Sequence, residues 1–467
     1  MKRILAIYIC FGVCSSFLFN NGPLEVYVTC GDGSKKLSPE PSLNSGSGSG
    51  TRINVDRSKR YQTMDGFGAA LTNSAAYVIY HSPRRHEIMR SLFGWNGIGI
   101  SYVRLTMGGS DFQAVNAYTY DDLPDNNQND FGMNRFSIDK DKAFVIPILK
   151  EALTLNPKLK VMATPWSAPA WMKNNKNLFG GDFNSGSQYQ EAYASYFVKF
   201  IQAYASEGIK IEAITVQNEP LHKSDSYPTM GMSWQLERDF IKYHLGPKFR
   251  SNGINTKILI FDHNWDLKDY PEHIMSDSSA AQYIDGSAWH CYGGRHDTPE
   301  SFHNKFPSKN IYFTECSGGD WDTNYYDGIV WNFRILMIGQ PRSWAKSVLL
   351  FNLALDDNHG PRQGVSGCKD CRGVLTVHGD GSFTKNFEYM YIGHMSKVVQ
   401  PGAVRVDSSW LGWDSLQSVA FENPDRSVAA VVLNPTASDQ QIHVDIDGTS
   451  YPYNLKAHCV ASFLKRH

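Results

Sequence analysis

The stretch Glu212 to Pro220, EAITVQNEP, carries the β-formers Ile214 and Val216 straight into Gln217, Asn218, Glu219 and Pro220. A buried strand ordinarily closes on turn residues such as Gly, Asp or Ser. This one closes on an amide, an acid and a proline, so its end is marked for chemistry. Apolar runs of the same build recur from Tyr61 to about Leu355: TMDGFGAAL, ISYVRLTMG, VMATPWSAP, KILIFDHN, GSAWHCYGG, IYFTECSGG and SVLLFNLAL. Helical patterns separate them. In YQEAYASYFVKFIQAYASEG, the residues Tyr193, Tyr196, Phe197, Phe200, Ile201 and Tyr204 repeat at helical spacing until Gly208, which predicts a helix packing those rings on a sheet. Eight strand candidates alternating with helices predict a (β/α)₈ TIM barrel, an α/β fold, in preference to an open doubly wound sheet. No GxGxxG phosphate turn is present, which argues against a nucleotide enzyme.

The polar residues of these runs gather at their carboxyl ends: Trp166, then Asn218 and Glu219, His263 and Asn264, His290 and Tyr292, Glu315, and Asn352. In this barrel those ends converge on one mouth, where active sites of the fold are built. Glu219 and Glu315 would face each other there. Glycosidic hydrolysis needs such a pair, one carboxyl to protonate the departing oxygen and one to meet the developing oxocarbenium ion; a separation of about 5–5.5 Å predicts retention of configuration. An ionised Glu315 would raise the pKa of Glu219 and keep it protonated. The competing reading makes either glutamate structural, paired with an arginine such as Arg104. Asn218 can bond a sugar 2-hydroxyl, and Trp166, Trp171, Tyr292 and Trp321 offer faces for sugars to stack on, although any one tryptophan is more often core. His222, His263 and His290 form no metal-ligand spacing, and no G-x-S-x-G elbow is present, so neither a metal nor a serine nucleophile is expected.

A chain of 467 residues, 42% hydrophobic and 13% aromatic, can bury a barrel and a smaller domain. Its formal charge of −1 gives no basic field for nucleic acid. MKRILAIYICFGVCSSFLF has the layout of a secretory signal peptide, with a signal anchor or a lipid-modified Cys10 or Cys14 as alternatives; no later stretch is long and apolar enough to insert stably in a membrane. Six cysteines follow the leader, too few for a disulfide-dependent fold of this size. Cys368 and Cys371 have CxxC spacing and read as a zinc half-site, a redox pair or a loop disulfide. The lack of a second CxxC disfavours zinc, and export favours the disulfide. After PSLNSGSGSG, a flexible connector, and again after Ile392, alternating runs broken by Asn-Pro, Pro-Asp and Asp-Gly predict antiparallel β-structure. The expected division is a signal peptide at 1–21, N-terminal strands of the side domain at 22–57, the catalytic barrel at 58–391, and a β-sandwich at 392–467 built from both chain ends. The strand before the connector is not expected to belong with what immediately follows it.

YQTMDGFGAALTNSAAY, YVRLTMGGSDF, YTYDDLPD, TPWSAPAWMK, VQNEP, RDFIKYHLGPKF, HCY, FTEC and AAVVLNP stand in an order that resembles glycoside hydrolase family 30, the glucosylceramidase and β-1,6-glucanase group. The resemblance covers most of the chain after the leader. It implies a barrel with a side β-domain, a retaining mechanism and no cofactor or metal. Carried over by position, it implies Glu219 as acid/base, Glu315 as nucleophile, and Arg104, Asp111, Trp166, Asn218 and Tyr292 as the lining of the subsite for the terminal glucose. Phe351 stands where the glucosylceramidase branch has a tryptophan, and the following loop, HGPRQGVSGCKDCRGVLTV, looks more like the β-1,6-glucanase branch. The expected partner is therefore a β-linked glucan, with glucosylceramide or another β-glucoside or β-xyloside as the alternative. A barrel that binds carbohydrate without turnover is the non-enzymatic alternative.

Overall fold

The computed structural model describes residues 23–364 and 367–466, so the leader expectation lies outside the described residues. All eight strand candidates form a closed, wholly parallel barrel: Gly66–Leu71, Tyr102–Thr106, Lys160–Thr164, Ala213–Thr215, Lys257–Asn264, Ile284–His290, Asn310–Glu315 and Ala345–Leu350, the last closing on the first. Strand side chains alternate between two faces, and one buried residue from each of the second to eighth strands fills the interior: Tyr102, Met162, Ala213, Leu259, Ala288, Tyr312 and Leu349. The first strand contributes Gly68, where a Cβ would lie 1.9 Å from the Tyr102 carbonyl oxygen. The opposite face packs on the helices. The helix Ser187–Ser206 buries every ring expected of it, and Gly208, at φ 79°, takes the left-handed turn that ends it.

The side domain is a nine-stranded sheet ordered Ser38–Leu43, Leu24–Cys30, Cys459–Lys465, Val428–Asn434, Gln417–Glu422, Val404–Ser408, Thr51–Thr63, Gln440–Ile446, Thr449–Leu455. Inward residues from both chain ends share one core, giving the sandwich. Its central strands are apolar on both faces. Ala430 and Val432 point into the sandwich, whereas Ala429, Val431 and Leu433 join the barrel's core, which is why AAVVL reads as a continuous run. The barrel and sheet thus share an apolar core across their interface.

Three expectations change. The pairing is not wholly antiparallel, because Thr51–Val55 runs parallel to Ile442–Ile446, an arrangement that the long intervening chain permits. The strand before the connector, Leu24–Cys30, and the one after it lie in the same sheet, with four strands between them. The strand Thr51–Thr63 and the helix Phe387–Ser396 both run through the positions where the chain was expected to divide. Composition shifts there, but hydrogen bonding does not stop: Thr63 still pairs with Val404, and His394 bonds Ser462 and Thr29 of the sheet. All six cysteines of the described residues are paired, as Cys30–Cys459, Cys291–Cys316 and Cys368–Cys371, so the CxxC is a loop disulfide.

Candidate active site

The fourth strand stops at Thr215, and the chain then turns through Glu219 at φ 43°, a left-handed conformation that costs a non-glycine residue about 1–3 kcal/mol. Flanking hydrogen bonds hold it: Asn218 N–H to the Pro165 carbonyl at 2.9 Å, and Glu219 N–H to the Asp262 carbonyl at 3.0 Å. The strand therefore ends by aiming two side chains into the barrel mouth. The seventh strand ends on Glu315 itself. A carboxylate oxygen of Glu219, one of Glu315 and a ring nitrogen of His290 lie within 4.8 Å of one another. Oxygens this close suit the retaining arrangement, whose carboxyl groups stand about 5–5.5 Å apart, better than the inverting one, whose groups stand roughly 6.5–9.5 Å apart.

Glu315 is held from below. Arg104 is fully buried; its Nη1 donates to Glu315 Oε2 at 2.5 Å, and its Nη2 to Asn218 Oδ1 at 2.7 Å and Asp262 Oδ2 at 2.8 Å. Its guanidinium also lies 4.7 Å from the Trp166 ring. Arg104 does not line the cavity, so the expectation that it touches sugar is corrected: it acts on the carboxylate and amide above it. The ion pair anticipated as the structural alternative exists, and it orients Glu315. The Tyr292 hydroxyl donates to the other oxygen, Glu315 Oε1, at 2.9 Å.

Asp262 is the residue that sequence reading missed. It is wholly buried beside His263 and accepts from Arg104, from Thr215 at 2.7 Å, from Thr314 at 2.6 Å, and faces His290 Nε2 at 2.9 Å. Phe261 and Asp262, at φ 80° and 54°, interrupt the fifth strand's register and turn Asp262 inward. A bulge defeats alternation counting; the available signal was a charge inside the apolar run KILIFDHN. Glu237, also fully buried, braces this bulge by accepting from Phe261 N–H at 3.1 Å and from the Tyr270 hydroxyl at 2.7 Å.

The proton is not where repulsion between two glutamates would put it. His290 Nδ1 lies 3.0 Å from Glu219 Oε1. Burial opposes a charge on His290, but the carboxylates of Glu315 and Asp262 outweigh it and push its pKa up to about 9. Burial likewise opposes charge on Glu219, and the bond to charged His290 prevails, so its pKa is lowered. Both shifts favour the proton on His290 over Glu219. Although Glu219, His290 and Glu315 are metal-ligand types, both ring nitrogens of His290 face carboxylates and Arg104 already occupies Glu315, so a cation would have to displace these partners.

The cavity above has a volume of about 800 Å³ and is lined by Asp111, Phe112, Trp166, Asn218 and Phe351 on the inner side and Tyr292, Trp321 and Trp331 toward the rim. Burial, followed by the charge of Glu315, pushes the Asp111 carboxyl up to about 8, and its Oδ1 has no partner among the described residues. Trp166 stacks on Phe351, with centroids 5.9 Å apart, as an aromatic floor. Trp321 is 58% exposed, its indole resting on Gly319, where a Cβ would come within 2.0 Å of the ring. Trp171 is fully buried and donates to Asp121, so it is core and offers no sugar platform. His263 sits 3.8 Å from Glu219, Asn264 accepts from Tyr292 N–H, and Asn352 is buried with its amide unpaired among the described residues. His222, one of the histidines grouped at the mouth, lines the wall, as do Tyr227 and Trp331, which the sequence reading had not singled out.

A (β/α)₈ barrel with two close carboxylates over an aromatic floor is the architecture of a glycoside hydrolase. The chain matches the glycosyl hydrolase family 30 TIM-barrel domain over residues 64–399 and the family's beta sandwich domain over residues 402–463. It belongs to glycoside hydrolase family 30. Among its relatives, endo-1,6-beta-D-glucanase BGN16.3 of Trichoderma harzianum is 34% identical over 432 residues, covering 88% of this chain and 85% of that one. The lysosomal acid glucosylceramidase of Mus musculus is 31% identical over 420 residues, covering 84% and 79%. The solved structure of the endo-beta1,6-glucanase BT3312 superimposes with a TM-score of 0.88 at 34% identity, covering 96% of this chain and all of that one.

Proposed function

We propose that the protein is an exported, retaining endo-β-1,6-glucanase, with Glu315 as nucleophile and Glu219 as acid/base. The observation that carries this reading is the short Glu219–Glu315 separation, with Arg104 and Tyr292 fixing both oxygens of Glu315. Glu315 attacks the anomeric carbon as the bond to the leaving oxygen breaks, and that oxygen takes the proton held by the Glu219–His290 pair. Water then adds to the glycosyl ester while Glu219 accepts its proton, and Glu315 is released. Asn218, oriented by Arg104, serves the 2-hydroxyl. Asp111, protonated at neutral pH, donates to another sugar hydroxyl, and Trp166 with Phe351 underlies the ring.

The 1,6-glucanase relatives support the substrate, and the cavity's extension from the floor to Trp321 and Trp331 supports a chain longer than one sugar. Export is supported by the leader-like N-terminus and three disulfides. The mouse relative supports the alternative of a glucosylceramide-cleaving enzyme.

Two measurements test the reading. A 2-deoxy-2-fluoroglucoside should trap an ester on the peptide containing Glu315; a label elsewhere overturns the assignment. In a time course with β-1,6-glucan, β-1,3-glucan, glucosylceramide and aryl β-glucoside and β-xyloside, early release of short oligosaccharides from the 1,6-polymer is expected. Turnover of the lipid alone would replace the glucanase reading.

A further inference from the structure

The sixth and seventh barrel strands end on His290 and Glu315, which are partners in the ladder. The ladder is already irregular between Phe313 and Glu315. The residues one step beyond each strand end are Cys291 and Cys316, joined as a disulfide across 25 positions of sequence. The covalent bond therefore takes over where hydrogen bonding stops.

Its neighbours are the groups that hold the reacting pair. Cys291 stands between His290, which contacts Glu219 at 3.0 Å, and Tyr292, which donates to Glu315 at 2.9 Å. Cys316 directly follows Glu315, and both cysteines line the cavity. On its other flank the seventh strand is tied to the eighth by Phe351 N–H donating to the Cys316 carbonyl at 3.0 Å. Toward the sixth strand, beyond Glu315, the disulfide takes the corresponding place. Tyr292 is 47% exposed, and besides its contacts with Glu315 and Ser317 it has one backbone bond, to Asn264 at 3.1 Å, and an edge-on contact with the His290 ring at 6.1 Å. Packing alone leaves it room to move.

We propose that the Cys291–Cys316 disulfide is a positioning element of the catalytic centre, fixing His290 and Tyr292 relative to Glu315 so that acid/base and nucleophile keep their mutual geometry. This rests on the roles proposed above for the two glutamates. Full activity then requires the oxidised form, and a reducing compartment would leave a folded but slow enzyme.

The test is Cys291→Ala with Cys316→Ala in the full chain, assayed on an aryl β-glucoside and on β-1,6-glucan. Misplacing reacting groups by about an ångström can cost on the order of 100-fold. The expected result is a 10- to 100-fold fall in kcat with KM within about twofold, and an alkaline limb of the kcat profile moved to lower pH as His290 and Glu219 separate. A merely stabilising crosslink would lower the melting temperature and leave kcat and the limb unchanged in the folded variant; that result overturns the proposal. If the double variant does not fold, native enzyme is treated with dithiothreitol, raised until Cys291 and Cys316 both alkylate with iodoacetamide. Each dithiol gives two electrons and two protons to the S–S bond and closes to its own cyclic disulfide. Activity of reduced, unalkylated aliquots should fall in step with the alkylatability of these two sites, not of Cys368 and Cys371, and should recover with oxidised glutathione. Undiminished activity with both sites reduced refutes the role. Glu315→Ala run in parallel keeps the two readings apart: turnover in that variant refutes the nucleophile assignment, whereas an inactive Glu315→Ala beside a fully active cysteine variant refutes only the positioning role.

Discussion

Replacing Asp262 with asparagine keeps the side chain's shape and removes one charge from a site where every partner depends on it. Asp262 faces Arg104 at 2.8 Å and His290 at 2.9 Å, all three fully buried. Leaving Arg104 with Glu315 as its one carboxylate breaks a buried pair, a loss of about 3–5 kcal/mol in unfolding free energy. The catalytic effect follows from His290. Holding that ring charged up to about 9, against an ordinary 6.5, corresponds to roughly 3 kcal/mol, shared between Asp262 and Glu315 against the opposing cost of burial. Without Asp262 the ring loses its proton near neutrality, and the Glu219–His290 pair no longer carries one for the leaving oxygen. Loss of a positioned proton donor costs about 100- to 10,000-fold. Steady-state kinetics on an aryl glucoside with a poor leaving group, from pH 5 to 10, should show this fall in kcat and an alkaline limb displaced downward. A good leaving group needs less protonation and should be affected less. Urea unfolding gives the stability. A folded Asp262→Asn enzyme with wild-type kcat and an unmoved alkaline limb would refute the reasoning.

Trp321→Ala should raise KM for β-1,6-glucan roughly three- to tenfold, the worth of one aromatic platform, and leave hydrolysis of an aryl β-glucoside unchanged. Gly319→Val should reproduce it, because its Cβ would lie 2.0 Å from the Trp321 ring. Cys30→Ser with Cys459→Ser removes the link between the two ends of the chain; urea unfolding should show a loss of about 3–5 kcal/mol, with kcat unchanged because the pair lies in the side domain. The part of the stability that rests on His290 should decline in the alkaline range. His290 is more basic folded than unfolded, so its contribution is complete below about 6.5 and lost as pH rises through about 9. Asp111, pushed up to about 8, loses stability between about 4 and 8, and Lys173, pushed down to about 7 by burial, acts in the opposite direction above about 7. The check is therefore the melting-temperature difference between wild type and His290→Gln, which should shrink from pH 7 to 9; a constant difference would contradict the reasoning.

Much of this site can be read without coordinates. Strand ends were legible because buried parallel strands are short apolar runs, and Asn218, Glu219, His290, Tyr292 and Glu315 interrupt such runs where a barrel opens. Trp166 was legible at a strand end and Asp111 came from resemblance alone, and both line the cavity. Arg104 was legible as a charge in a strand; its depth was not, because inward and outward faces look alike when both are buried. Asp262 was hidden by a bulge that reverses its direction. Trp171, between Ala170 and Met172, is core, and Trp321, between Asp320 and Asp322, is rim, a division that residue type alone does not make.

The sequence by itself determined the barrel, the contribution of both chain ends to the side domain and the placing of Glu219 and Glu315 at strand ends of one mouth, since periodicity and residue type are local properties that survive projection onto one dimension. Only the tertiary structure decided which groups bias the proton between Glu219 and His290, which cation holds which carboxylate and which cysteines pair. Those outcomes depend on distances of about 3 Å between residues far apart in the chain, and electrostatic and covalent preferences change completely over that length.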